Sequence, residues 1–272
     1  MFRIIESQRV KYLVSDKIAS PHAFSTRIGG VSVLPHTAEL NLGFYRGDGK
    51  ETVMENLSLF SRASGIDLGH FVSVTQIHSR TVRYVTEDDR GAGIYYRADY
   101  ECDGYVTDRP GVALCIKTAD CVPILLSDED AGVIGAVHAG WRGTASGIVG
   151  ECVRMMCRLG ASAGRIKAAV GPAIGKCCYE VGPDVRKEFE RLCGEYFAGR
   201  FVQPAEDRPG KYLADLSGAN KAHMEAAGID GENIDVAGLC TSCRSDLFFS
   251  HRRGGGQRGT MCSVIEIGGS PD

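Results

Sequence analysis

The chain lacks the features that mark membrane proteins, polyanion binders and modular assemblies. No stretch reaches the roughly 18 uninterrupted apolar residues that a membrane span requires. No charge of one sign accumulates. Basic and acidic side chains number 31 and 34, and a formal charge of −3 gives no footprint for nucleic acid. The basic pair Arg252-Arg253 is too local to alter that, although it could serve a phosphate. The amino-terminal MFRIIESQRVKYLVSD scatters charge through its apolar positions, unlike a secretory signal. Repeats, low-complexity tracts and linkers are also absent. One domain over residues 1–272, long enough for a sizeable core, is the expectation.

Cysteine is plentiful by contrast. Eleven in a chain without a secretory signal, an odd number, favour reduced thiols in a cytoplasmic protein over a disulfide scaffold.

The segment 111–159 is the most informative for fold. GVALCIKT and VPILLSD are short apolar, β-branched runs, EDAG turns the chain, and VIGAVHAG is another such run. TASGIVGECVRMMCRLG follows with Ile148, Val149, Cys152, Val153 and Met156 at helical spacing. Downstream, IKAAVGPAI reads as a strand and PDVRKEFERLC as a helix opened by Pro183. SGANKAHMEAAG reads as a helix that Ser217 would cap, and IDVAGLC and MCSVIEI as closing strands. In the first hundred residues, ETVMENLSLFSRASG has helical amphipathicity and FVSVTQIH reads as a strand. Strands with interspersed helices make the fold α/β or α+β, and the hairpin PILLSDEDAGVIGAVH makes the sheet mixed.

Two of the seven histidines, His78 and His138, fall at the far ends of predicted strands, where sheet proteins place reactive groups. Cys121 opens the strand paired with the one that ends in His138, so an antiparallel hairpin brings the two together. Two chemistries fit these residues. One is a Cys–His pair in which imidazole draws the thiol toward thiolate. The other is a His₂Cys metal site, whose three ligands leave zinc's fourth position open, as in catalytic zinc. A four-thiolate zinc site from Cys177, Cys178, Cys240 and Cys243 is set aside, since adjacent cysteines lack ligand spacing and a lone CxxC says little. Arg27, Arg46, Arg142, Arg252 and Arg253 all lie beside glycines, an arrangement suited either to phosphate or to tying loops together.

TQIHS, ECDGYVT, KTADCVPILL, GAVHAGWRG, VGPAIGKCCYEVG and CTSCRSDLFFSHRRGGG, in this order, resemble the YfiH-type laccase-domain, or multicopper polyphenol oxidase, family. FSTRIGGVS and NLGFYRGD match it more loosely. The resemblance implies an α/β (α+β) sandwich of mixed sheets flanked by helices, similar to the catalytic domain of cytotoxic necrotizing factors. It implies one zinc or copper ion on His78, Cys121 and His138. It also implies phosphorolysis of adenosine, inosine and 5′-methylthioadenosine with accompanying adenosine deamination; a bacterial branch is associated with editing of peptidoglycan precursors. Arg46, Lys117 and His251 depart from the family pattern and bear on substrate preference.

On that reading purine nucleoside and phosphate are the small-molecule partners, with neither membrane nor nucleic acid, and monomer or homodimer stays open. Cys121 and His138 are catalytic, and Asp120 and Glu180 are candidates for proton transfer or ribose binding. Arg46 and Arg142 would hold phosphate, Arg27 is a further binding candidate, and Asn41 and Gln76 could orient base or sugar. Trp141 is expected to be scaffold. The oxidase name fits the residues poorly. A multicopper oxidase holds a mononuclear copper and a trinuclear cluster, which together need about ten histidines, many in H-x-H pairs, whereas this chain has seven and no such pair. Polyphenol oxidation would then be incidental to copper loading. The rivals are a metal-independent Cys–His hydrolase or deamidase and a metal-binding protein without turnover.

Overall fold

A computed structural model describes residues 1–268. In chain order its elements begin with β1 (Phe2–Ser7), β2 (Val10–Ser15), β3 (His22–Ser25), α1 (Lys50–Ser64) and β4 (Phe71–Val72). Next come β5 (Val82–Tyr84), β6 (Gly104–Thr107), β7 (Ala113–Thr118), β8 (Val122–Asp128), β9 (Val133–Ala139), α2 (Trp141–Ala145) and α3 (Ile148–Arg158). Then follow β10 (Lys167–Val170), β11 (Glu180–Val181), α4 (Pro183–Cys193), α5 (Glu195–Phe201) and β12 (Val202–Pro204). The last are β13 (Tyr212–Ala214), α6 (Leu216–Ala226), β14 (Ile234–Val236) and β15 (Met261–Glu266).

Two six-stranded mixed sheets dominate, ordered β1-β2-β3-β15-β7-β4 and β14-β10-β8-β9-β6-β5. Side-chain alternation explains how they stack. Leu125 of β8 and Ile134 and Ala136 of β9 meet Leu114 and Ile116 of β7 in a buried layer between the sheets. The opposite set on β8 and β9, Ile124, Leu126, Val133 and Val137, packs on Val149, Cys152, Val153 and Met156 of α3 and on α6. Ala113 and Cys115 of β7 turn away from the second sheet and cover Val53, Leu57 and Phe60 of α1. The result is helix, sheet, sheet, helix. Strands buried on both faces read as continuous apolar runs, which is how VPILLSD and VIGAVHA look. Each fully buried Leu or Ile stabilises by roughly 1.5–3 kcal/mol.

The expected α+β sandwich is therefore what forms, with local differences. FVSVTQIH is a strand only at Phe71–Val72. From Ser73 onward it is loop, held by Ala92 carbonyl, the Tyr105 hydroxyl and the Lys117 backbone. The helix after β9 begins earlier than expected, at Trp141, and breaks at Ser146-Gly147, where Gly147 takes a left-handed φ of +71°. The cap of α6 is Asp215, not Ser217: its carboxylate accepts from the Gly218 N–H at 2.8 Å. IDVAGLC is strand only to Val236. Among the described residues no helix is long and apolar enough to cross a membrane.

Candidate metal centre and its cleft

The hairpin β8–β9 makes the centre. Its register pairs Pro123 with His138 and Val122 with Ala139, which sets Cys121 beside the end of β9. His138 is buried, Cys121 half-buried and His78 exposed. The His78 and His138 rings meet edge-on with centroids 4.8 Å apart, and Cys121 Sγ lies 3.9 Å from His78 Nε2. A ligating atom from each of the three lies within 4.8 Å of the others.

His78 does not arrive at a strand end. It sits on a loop with a left-handed φ of +59°, a conformation uncommon outside glycine. Asp103 holds it there. This fully buried carboxylate accepts from the backbone N–H groups of Ile77 (3.2 Å), His78 (2.9 Å) and Ser79 (2.6 Å) and from the Ser79 hydroxyl (2.8 Å). It also accepts the Nδ1–H of His138 at 2.8 Å. One side chain thus bends the His78 loop and fixes the tautomer of His138, leaving Nε2 free to ligate. Asp103 lies within the ECDGYVT motif, but its role could not be inferred there because all its partners are distant in sequence. Gly140 completes the fit. A Cβ at that position would lie 2.7 Å from His78 Cδ2 and 3.3 Å from Cys121 Sγ, so only glycine lets the ligands close.

The charges are coupled. Burial alone would raise the Cys121 thiol, but His138 and His78 overcome it and hold the thiol down to about 6. Burial alone would lower His138, but Cys121 and Asp103 push it up to about 9. Asp103 is kept below the usual carboxylate range despite burial, by His138 and the Ser79 donors. A thiolate and two imidazole nitrogens, one braced by a carboxylate, are the donors that suit zinc or copper. The residues fit the metal.

A cleft of about 760 Å³ opens from this centre, within the usual size of small-molecule sites. Phe44, Tyr45, Tyr95 and Tyr96 give it aromatic walls, and Arg46, Lys117 and Arg258 line it with positive charge. Arg258, which the motifs do not single out, donates from Nη1 to Thr260 Oγ1 at 2.8 Å, while its buried Nε has no partner among the described residues. Desolvation and the neighbouring Arg46 push its guanidinium down to about 10. Asp48 in the same wall is already taken by Ser32, Thr37 and Asn41. Among the described residues neither Arg46 nor Arg258 has a salt-bridge carboxylate, so the pair is poised for an anion.

The other expected residues are dispersed. Gln76 lines the cleft, but its amide is locked reciprocally to the Lys117 backbone N–H and C=O, both at 2.8 Å. Asn41 is fully buried and pins Gly43, Asp48 and Thr260 behind the wall. Asp120 is buried beside Cys121 with a φ of +99°. Its carboxylate accepts from Thr241 Oγ1 (2.6 Å), Ser250 Oγ (3.1 Å) and Arg252 N–H (2.7 Å), and so shapes the Cys121 loop. Glu180 bridges Arg208 and Lys211 on β11. Arg27 ties loops through the Ala38 and Ser245 carbonyls and lies over Phe249. Arg142 is exposed over the Trp141 ring at 4.2 Å, outside the cleft lining. Trp141 itself packs half-buried against the core as scaffold.

The fold and site define a helix-flanked two-sheet protein with a three-ligand His₂Cys centre at the mouth of an aromatic and basic cleft. The chain belongs to the family described as multi-copper polyphenol oxidoreductase laccase, whose profile matches residues 21–268. It is 43% identical over 255 residues, 94% of this chain and 92% of the relative, to a purine nucleoside phosphorylase of Deinococcus radiodurans. It is 36% identical, over 92% of this chain and 94% of the relative, to adenosine deaminase RL5 of an unknown prokaryotic organism. The crystal structure of Bacillus licheniformis YfiH superposes with a TM-score of 0.89 at 34% identity, covering 98% and 99% of the two chains.

Proposed function

We propose that this protein is a purine nucleoside phosphorylase with accompanying adenosine deaminase activity, acting on adenosine, inosine and 5′-methylthioadenosine. His78, Cys121 and His138 would hold zinc, with copper as an alternative load, in a reducing cytoplasm where the eleven cysteines stay free of disulfides. The observation that carries the reading is one cleft shared by a three-ligand centre and an unneutralised arginine pair. The names of the two relatives support both activities.

In phosphorolysis a phosphate oxygen bonds to C1′ of the ribose, the bond from C1′ to the base breaks, and the base leaves with the proton that the phosphate hydroxyl gives up. Arg46 and Arg258 bind the phosphate and screen its charge from the ribose, with Lys117 as the third cation of the cleft. Phe44, Tyr45 and Tyr95 offer flat apolar faces for the purine. Asp103 keeps His138 in the tautomer that directs Nε2 toward the centre. A zinc ion held by His78, Cys121 and His138 would supply Lewis-acid polarisation in the cleft. Gln76, committed to Lys117, keeps the His78 loop flush with β7 rather than contacting substrate.

The test is chromatographic release of free base from the three nucleosides, with and without phosphate, alongside metal analysis. Phosphate-dependent release that disappears in His78→Ala and Cys121→Ala together with the metal of the His₂Cys centre is expected. Full turnover by metal-free protein overturns the metal's role.

A second reading rests on Cys121 at about 6 beside His138 at about 9. A thiolate–imidazolium pair is also the resting state of a metal-independent hydrolase. Iodoacetamide separates the two: a ligating thiolate is protected until a chelator is added, whereas a free nucleophile is alkylated at once.

A further inference from the structure

Away from the cleft, four thiols converge that the proposed reaction does not use. Cys177 and Cys178 come from the turn after β10, and Cys240 and Cys243 from the loop after β14. Their sulfur atoms all lie within 4.8 Å of one another, with Cys243 Sγ 3.6 Å from Cys177 Sγ and 3.4 Å from Cys178 Sγ. A tetrahedral zinc tetrathiolate with Zn–S bonds of about 2.3 Å has edges of about 3.8 Å, so the four sulfurs are already close to such a polyhedron. The objection that adjacent cysteines lack ligand spacing disappears in three dimensions. Each pair supplies half of the site from a different segment.

We propose that Cys177, Cys178, Cys240 and Cys243 hold a structural zinc ion as four thiolates. Binding replaces four S–H protons, which go to solvent, with four Zn–S bonds and involves no electron transfer. The surroundings are built for it. The Gly175 N–H donates to Cys240 Sγ at 3.2 Å, a bond that favours thiolate. A Cβ on Gly175 would lie 3.2 Å from Cys177 Sγ and 3.3 Å from Cys240 Cβ, so the backbone is cut back where the cluster packs. Arg252, which donates to the Cys178 carbonyl at 3.4 Å, supplies countercharge to the dianionic complex. Four protein ligands close the coordination sphere, which is the mark of a structural site.

The site staples two loops that reach the His₂Cys centre from behind. Thr241, between Cys240 and Cys243, donates to Asp120, the neighbour of Cys121. The Ile174 N–H donates to the Asp120 carbonyl at 2.9 Å, and Ala173 bridges to Cys240. Zinc here holds the Cys121 loop without touching substrate.

The experiment loads full-length protein, purified under reductant, with Zn²⁺ alone and counts bound zinc after desalting. A Cys121→Ser variant is expected to retain one equivalent, and the Cys121→Ser/Cys240→Ser/Cys243→Ser variant none. One equivalent in Cys121→Ser stands even if the His₂Cys reading fails. Zinc-edge X-ray absorption of the Cys121→Ser protein then reads the donor set without relying on how the triple variant folds. Four sulfurs at about 2.3 Å are expected. No zinc in Cys121→Ser, mixed nitrogen and sulfur ligation, or an intact mass short by two hydrogens per cysteine pair in freshly reduced and desalted protein overturns the proposal.

Discussion

Asp103 Oδ1 accepts the His138 Nδ1–H at 2.8 Å, with the carboxylate fully buried and the imidazole 4% exposed. The same carboxylate collects three backbone donors from residues 77–79, so the placement of both histidines depends on one side chain. Asp103→Asn keeps the shape but turns one acceptor into a donor facing N–H groups. Metal affinity is expected to fall about 10–100-fold, the usual effect of losing a partner that orients a metal ligand. Unfolding stability should fall by about 1–3 kcal/mol for the unpaired buried donors. Zinc competition titration and denaturant unfolding check the two effects separately. An unchanged zinc affinity would remove Asp103 from the centre.

Hairpin logic made half of this centre legible in the sequence. A turn at 129–132 between two apolar runs fixes which end of β8 meets which end of β9, and hence the pairing of Cys121 with His138. His78 was singled out as the end of a predicted strand, whereas the structure puts it on a loop. Its loop is bent by Asp103, 25 residues downstream, and no local pattern records such a bond. Arg258 was missed for the same reason: its segment, before β15, is tied to the 36–42 loop through Gly259 N–H to the His36 carbonyl and Leu42 N–H to the Thr260 carbonyl, and only tertiary structure shows two guanidiniums sharing a wall. The α/β or α+β class was readable from strands interspersed with helices and the sandwich from the resemblance, whereas the Ser146-Gly147 break in the helix after β9 was not. A glycine within an otherwise regular apolar repeat looks tolerable until its φ is known.

Arg46 and Arg258 should control phosphate rather than nucleoside. A charge-assisted hydrogen bond contributes about 1.5–3 kcal/mol, so Arg258→Ala is expected to raise the phosphate KM roughly 10–100-fold. The nucleoside KM should move far less. Arg142→Ala, outside the cleft, serves as the control and leaves the phosphate KM unchanged. Initial rates at varied phosphate decide the matter, and an unaltered phosphate KM in both Arg46→Ala and Arg258→Ala would place the anion elsewhere.

His22 should make stability depend on acid. Its Nδ1–H donates to Ser20 carbonyl at 2.8 Å and its Nε2 accepts from Ser15 N–H at 2.9 Å, so the folded state holds the neutral ring. Burial lowers its pKa below the ordinary value. Above about pH 6.5 the ring is neutral folded and unfolded, and the contribution is fully present. Below that the unfolded chain takes up a proton the native state refuses, and stability is lost as pH falls toward the folded pKa, at up to about 1.4 kcal/mol per unit. Urea unfolding of wild type and His22→Asn between pH 5 and 8 isolates the term, because other titrating groups cancel in the difference. A difference that does not vary with pH would sink it.

Gly140→Ala separates site from scaffold. The backbone at Gly140, φ −69° and ψ 173°, is open to alanine, so no conformational strain is introduced. As the residue preceding α2 it contributes a modest cap, and alanine there costs about 0.5–1 kcal/mol. The added methyl, however, would lie 2.7 Å from His78 Cδ2, closer than carbon atoms tolerate, and 3.3 Å from Cys121 Sγ. His78 is exposed and its loop is the weaker neighbour, so it gives way while β9 and buried His138 hold. The variant should therefore fold, with a melting temperature only a few degrees lower. Its zinc should be bound more weakly and its nucleoside turnover should fall with it. Circular dichroism melting, zinc titration and base release on one preparation check all three. Wild-type zinc affinity in a folded Gly140→Ala protein would show that the ligands do not need this close approach.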